Sequence, residues 1–191
     1  MIRLLVEAGL GLRSVTRAMM FREDWSDGLN LTTGGLVRSF VAVLLSLPVF
    51  WLVLTGSYRL VSELSDLPVP PYTSADFIID QLRIWLVFPI LAVLLTRLAG
   101  IPQRFVHWVI LHNWAVLFLF LVQAGIIVFY LAGLLSASMA LDAIRLFYLI
   151  IVRAIVHISV AFVALQQRNV RGVTLAFIPV MVDLILMEVL P

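Results

Sequence analysis

The chain alternates between long apolar blocks and short polar joints, and the blocks have the length a bilayer demands. Five stand out: residues 34–54, 77–98, 105–131, 139–166 and 173–190. Each is close to the ~20 residues an α-helix needs to cross the hydrocarbon. Helices are the only reading of such blocks, because lipid leaves no unpaired backbone and barrel strands are shorter. The sequence therefore predicts an all-α integral membrane protein of five transmembrane helices in one bundle. Pro48, Pro89 and Pro179 fall inside the first, second and fifth blocks, where each removes a helix hydrogen bond and bends its helix. Thr73 or Ser74, after the stiff "LPVPP" run, is placed to cap the second span.

Residues 1–25 lie ahead of the first block and follow a different pattern. At ~100° per residue, Leu4, Leu5, Ala8, Leu12, Val15 and Met19 share one face, and Arg3, Glu7, Arg13, Ser14 and Arg17 the other. This predicts an amphipathic helix lying in the membrane interface, with Arg3, Arg13 and Arg17 at anionic headgroups. A helix docked on the bundle or on a partner is the competing reading. Arg, Glu and Gly interrupt the apolar run, which argues against a signal peptide.

Composition agrees. Of 191 residues, 63% are hydrophobic and 13% charged, against about half and about a quarter in soluble domains. There is no cysteine, which excludes disulfides, thiolate metal sites and cysteine nucleophiles. Every basic residue is Arg, as GC-rich bacterial genomes favour, and the net charge of +2 is too small to suggest a nucleic-acid partner. Positive charge is distributed by side. Arg3, Arg13, Arg17, Arg22 and Arg38 precede or open the first block, Arg97 and Arg104 flank the second turn, and Arg168 and Arg171 the fourth. The intervening joints are base-poor. The positive-inside rule then places the N-terminus in the cytoplasm and the C-terminus outside, in a bacterial inner membrane. Trp51, Trp85, Trp108, Tyr58, Tyr72 and Tyr130 read as an interfacial aromatic belt.

Candidate chemistry lies in the polar residues inside the spans, where each ionisable group asks for a partner or a cavity. On the fourth block Asp142, Arg145, Arg153 and His157 recur at helical spacing and predict one inward stripe. Asp183 on the fifth block reaches the depth of Arg145 and predicts a pair with it. Asp80 and Arg83, three apart on the second, predict a local pair. His112 and Asn113 on the third block lie at the depth of His157, so a neutral hydrogen-bonded cluster is expected there. Arg153 would find helix carbonyls, Ser46 or Gln123. Haem ligation by His112 and His157, or an anion or lipid site at Arg153 and His157, are the sharper alternatives. No phosphate loop, zinc-protease motif or nucleophile elbow occurs, so neither catalysis nor a cofactor is expected.

An amphipathic N-terminal segment, five spans with an outward C-terminus and no soluble domain resemble the Yip-domain (Ypt-interacting-protein) family of small membrane proteins, in particular its bacterial members. The stretch "MFREDWSDGLNLTTGGLVRSFVAVLLSLPVF" is similar to the entry to their first span. The resemblance implies a non-enzymatic membrane scaffold or accessory protein, working through lipids, other membrane proteins or copies of itself. A small transporter, or a transporter subunit with a polar stripe on the fourth span, is the alternative; a haem-binding redox subunit stands behind it.

Overall fold

In the computed structural model, residues 2–189 are described, with all their side chains except those of Ile2, Arg3, Phe147 and Glu188. Among the described residues there is no strand. The chain forms α1 (Ile2–Met19), α2 (Thr33–Leu64, with a slip at Phe40), α3 (Ser74–Leu98), α4 (Phe105–Leu131), α5 (Ala137–Leu165) and α6 (Val170–Val189). Five of these, α2 to α6, are long and apolar enough to cross a membrane. Their outward residues are apolar too: Leu44, Ile90, Val128, Ile150, Ile155 and Ile185 are all exposed. An exterior of that kind is stable only against lipid. This is a multi-pass membrane protein.

Every span begins or ends within a few residues of its sequence boundary except the first, which continues through Leu64 instead of stopping near Leu54. The added turns carry Tyr58, Arg59 and Glu63. They remain helical because their partners are helical: Tyr130 on α4 donates to Glu63 Oε2 at 2.6 Å, and Gly56 lets Ile127 lie against the backbone where a Cβ would collide. At the start of α3, Thr73 accepts from the Asp76 amide, and Asp76 reciprocates by accepting from the Thr73 amide, closing a capping box.

The centre of the bundle is α4. It is apolar on all sides, with no polar face to present to solvent, which is the signature of a fully enclosed helix. It packs against α1, α2, α3 and α5, while α6 closes the ring on α3 and α5. Burial at this centre overturns half of the expected aromatic belt. Trp85, Trp108 and Tyr130 are buried in the interior, Trp108 edge-on to Phe88 at 5.0 Å, whereas Trp51 and Tyr58 face outward.

One end of the bundle, the near end, bears α1, the turn at 99–104 and the turn at 166–169. Its arginines are hydrogen-bond donors as well as charges. Arg171 donates to the Ala99 carbonyl at the end of α3, Arg168 to the Phe21 carbonyl at 3.1 Å, and Arg104 to the Gln166 side chain. The first two meet main-chain carbonyls that helix and loop ends leave unpaired.

Helix α1 is docked on α4 and α5. Its inward face is built of small residues, Gly11, Ser14, Val15 and Ala18, all buried. Gly11 sits on the Trp114 ring, where a Cβ would have no room. Three residues therefore swap sides relative to the helical-wheel expectation: Ser14 is buried, while Leu4 and Leu5 are exposed. Small size, which permits close approach, chose the docking face over hydrophobicity. Arg17 turns back onto the loop that follows. It donates to the Asp24 carbonyl at 2.9 Å and pairs with the Asp24 and Asp27 carboxylates at 3.4 and 3.6 Å. Arg13 stays exposed, and the Arg3 side chain lies outside the described residues.

Candidate functional site

The buried polar groups of four helices meet in one place. Asp183 on α6 accepts from Arg153 on α5 with one carboxylate oxygen and from Arg83 on α3 with the other. Arg83 also holds Asp80 at 2.9 Å, and Asp80 accepts from the Tyr72 hydroxyl at 2.8 Å. The chain Tyr72–Asp80–Arg83–Asp183–Arg153 thus runs inward from the loop ahead of α3. Its side chains are mostly withdrawn, with Arg83 8%, Arg153 12% and Asp183 19% exposed. Charges so placed persist because each has an opposite partner. Burial, and the Asp80 carboxylate that its hydroxyl meets, push the Tyr72 phenol well above its usual range.

Beyond Arg153 the polar tract ends on two imidazoles. His157 is one turn further along α5, about 12 Å from its Leu165 end, and His112 is about 10 Å into α4 from Phe105, at ~1.5 Å per residue. Their ring centroids are 5.4 Å apart, and His112 is also stacked on Phe88 at 3.3 Å. No macrocycle fits between rings already that close, with Phe88 stacked on His112, so these residues do not suit axial haem ligation. Among the described residues, no group of three or more His, Asp or Glu side chains gathers as a metal site.

These groups line a cavity of about 330 Å³ to which all five spans contribute. Phe50, Val53, Val116, Leu119 and Phe120 supply much of its apolar wall. Two helices are wound abnormally beside it. Arg83–Val87 in α3 and Ala143–Val152 in α5 are hydrogen-bonded i→i+5, wider than an α-helix. The first immediately precedes Pro89, whose ring and missing N–H disrupt the regular ladder at that point. The second carries Tyr148, buried and facing the cavity. Pro179 in α6 is on the wall as well.

The wide turns of α5 correct the predicted stripe. An i→i+5 segment places more residues in each turn than the 3.6 assumed for the spacing, so the inward face drifts around the helix. Arg153 and His157 point inward, but Asp142 and Arg145 are exposed. The expected Asp183–Arg145 pair is accordingly replaced by Asp183 with Arg153 and Arg83. Two further expectations fail. Arg153 pairs with Asp183 rather than with Ser46, whose hydroxyl donates within its own helix to Val43, or with Gln123. Asn113 is not part of the histidine cluster. Its amide donates to Ser39 at 2.9 Å, buried between α4 and the first turns of α2.

Sequence reading took Asp80 and Arg83 as a local pair and did not join them to Asp183. The available signal was the position of an Arg within a span whose single nearby acid is already next to water. The Phe88 stack had no sequence signal at all. Comparison of the chain with protein-family models, with curated proteins and with solved structures returns no match.

Proposed function

We propose that this membrane protein binds a small solute in the cavity between its spans and works as a small transporter or a transporter subunit, without catalysis. The observation that carries the reading is the convergence of all five spans, two wide turns and one proline on a cavity walled by a continuous ion-paired chain. Intramembrane ionisable groups mark solute paths, wide turns concentrate at functional sites, and interrupted helices line transporter sites. The absence of cysteine makes the test direct. Gln123→Cys, on the cavity wall, should be alkylated by iodoacetamide from water. Ile151→Cys, on the exposed apolar face of α5, should not, because a thiol in lipid does not ionise. Equal inertness of the two would mean a dry interior and would overturn the proposal.

A second reading is favoured by α1. Leu5, Val6 and Met20 remain exposed after the helix has docked, and the resemblance to Yip-domain proteins implies a scaffold acting through lipids or partners. The exposed apolar edge would rest in the cytoplasmic interface of a bacterial inner membrane. Removing residues 2–20 should then release partners or alter lipid contacts while all five spans stay inserted.

A further inference from the structure

The deep end of the cavity has hydrogen-bond donors to spare, and each neutral imidazole there offers one donor and one acceptor nitrogen. A guanidinium carries five N–H groups and no acceptor, and the Arg153 side chain makes one hydrogen bond among the described residues, to Asp183. Both oxygens of Asp183 are engaged, one by each arginine. His112 is 5% exposed, and its Nδ1 has no partner among the described residues. Buried polar groups are almost always satisfied, so an orphan beside a cavity points to something that occupies the cavity. The opposite end is different in kind. There the Asp80 carboxylate is next to Arg83 and Tyr72, and its acceptor capacity is answered. The spare N–H groups of Arg153, together with the Nδ1–H that His112 carries in one tautomer, therefore suit an acceptor-only group, and an anion is the ligand chemistry that supplies one.

The wall and the volume limit the rest of the ligand. Phe50, Val53, Val116, Leu119 and Phe120 are apolar and suit a hydrocarbon tail. A volume of about 330 Å³ holds on the order of ten water-sized groups at roughly 30 Å³ each. That is the size of a carboxylate with a chain of medium length, and too small for a diacyl lipid as a whole.

We infer that the cavity takes an amphiphile with one singly charged anionic head, a carboxylate or a phosphodiester, seated against Arg153 and His112, with its tail along the α2–α4 wall. This rests on the cavity being the working part of the protein. Either a free medium-chain carboxylate or the head of an anionic lipid entering between helices would present this chemistry.

The test uses the full chain carrying Gln123→Cys in nanodiscs of zwitterionic lipid, with iodoacetamide as the reporter of occupancy. Octanoate at ten times its dissociation constant should slow alkylation about tenfold, as occupancy of a single site requires. Octyltrimethylammonium has a similar tail and the opposite charge and should not protect; acetate has the head without the tail and should protect far less. Arg153→Gln should abolish the protection by octanoate, judged against the rate of the same variant without ligand. Exchange of the zwitterionic lipid for phosphatidylglycerol distinguishes the sources: slow alkylation without added octanoate assigns the site to a lipid head. Equal protection by octanoate and octyltrimethylammonium, or protection by neither octanoate nor phosphatidylglycerol, overturns the inference even if Arg153→Gln fails to fold. Failure of Gln123→Cys to react in any condition overturns the wet cavity itself, which is a separate result.

Discussion

Asp183 is the point at which the interior is most vulnerable. Asp183→Asn keeps the shape and removes the charge that two arginines share. Arg83 would keep Asp80, but Arg153 would lose its carboxylate. Removing one member of a buried ion pair costs about 3–5 kcal/mol. The cavity admits some solvent and Asp183 is 19% exposed, so the low end applies, about 3 kcal/mol, or roughly 150-fold in the folding equilibrium. Arg153→Leu alone should cost less, about 2 kcal/mol, since it leaves Asp183 paired with Arg83 and removes one charged hydrogen bond. In the double variant only Arg83 is deprived of a partner. Its cost should fall short of the sum of the two singles by about 1–2 kcal/mol, as expected of residues in one network. Reversible unfolding by dodecyl sulfate in mixed micelles measures all three. An Asp183→Asn protein within about 0.5 kcal/mol of the parent, or a double variant equal to the sum, would refute the claim that these charges form one buried network.

Three other expectations follow from separate parts of the molecule. Gly11→Val should undock α1, because a branched Cβ cannot share space with the Trp114 ring; trypsin cleavage after Arg17 and Arg22 should quicken at least tenfold, consistent with a loss of about 1.4 kcal/mol or more in docking, and an unchanged rate would mean that the helix is not held there. Tyr72 should remain protonated at a pH where an exposed tyrosine, with its pKa near ~10, is half ionised. Its raised pKa contributes stability that is present below the unfolded value and lost as pH rises past it, so phenolate absorbance of the parent and of Tyr72→Phe should coincide up to that pH; a difference between them at pH near ~10 would place Tyr72 in free water. Reporter fusions at the N-terminus and in the turns at 100–104 and 167–171 should behave as cytoplasmic, and fusions in the 66–72 loop or after Pro191 as external; a cytoplasmic C-terminus would contradict the charge distribution.

The sequence by itself determined the solvent of the protein and the number of its spans. Block length and composition answer to the thickness and polarity of the bilayer, which are properties of the surroundings and not of the fold. It also determined the local devices. A cap at Thr73 or Ser74 and the Asp80–Arg83 pair, three residues apart, were legible from the sequence; that Asp76 closes a box with Thr73 was seen only in the structure. Inward placement of Arg153 and His157 was legible because charge is expelled from lipid whatever the neighbours are. Tertiary structure decided which partners met. Arg153 and Asp183 come together because α5 packs on α6, and no periodicity encodes that choice. The register of α5 was beyond a 3.6-residue pattern as soon as the helix widened over Ala143–Val152, which is why Asp142 and Arg145 emerged on the outside. The docking face of α1 was set by the shape of Trp114 on another helix: a glycine can meet an indole ring where a leucine cannot, and steric fit of that kind exists only between surfaces already brought together.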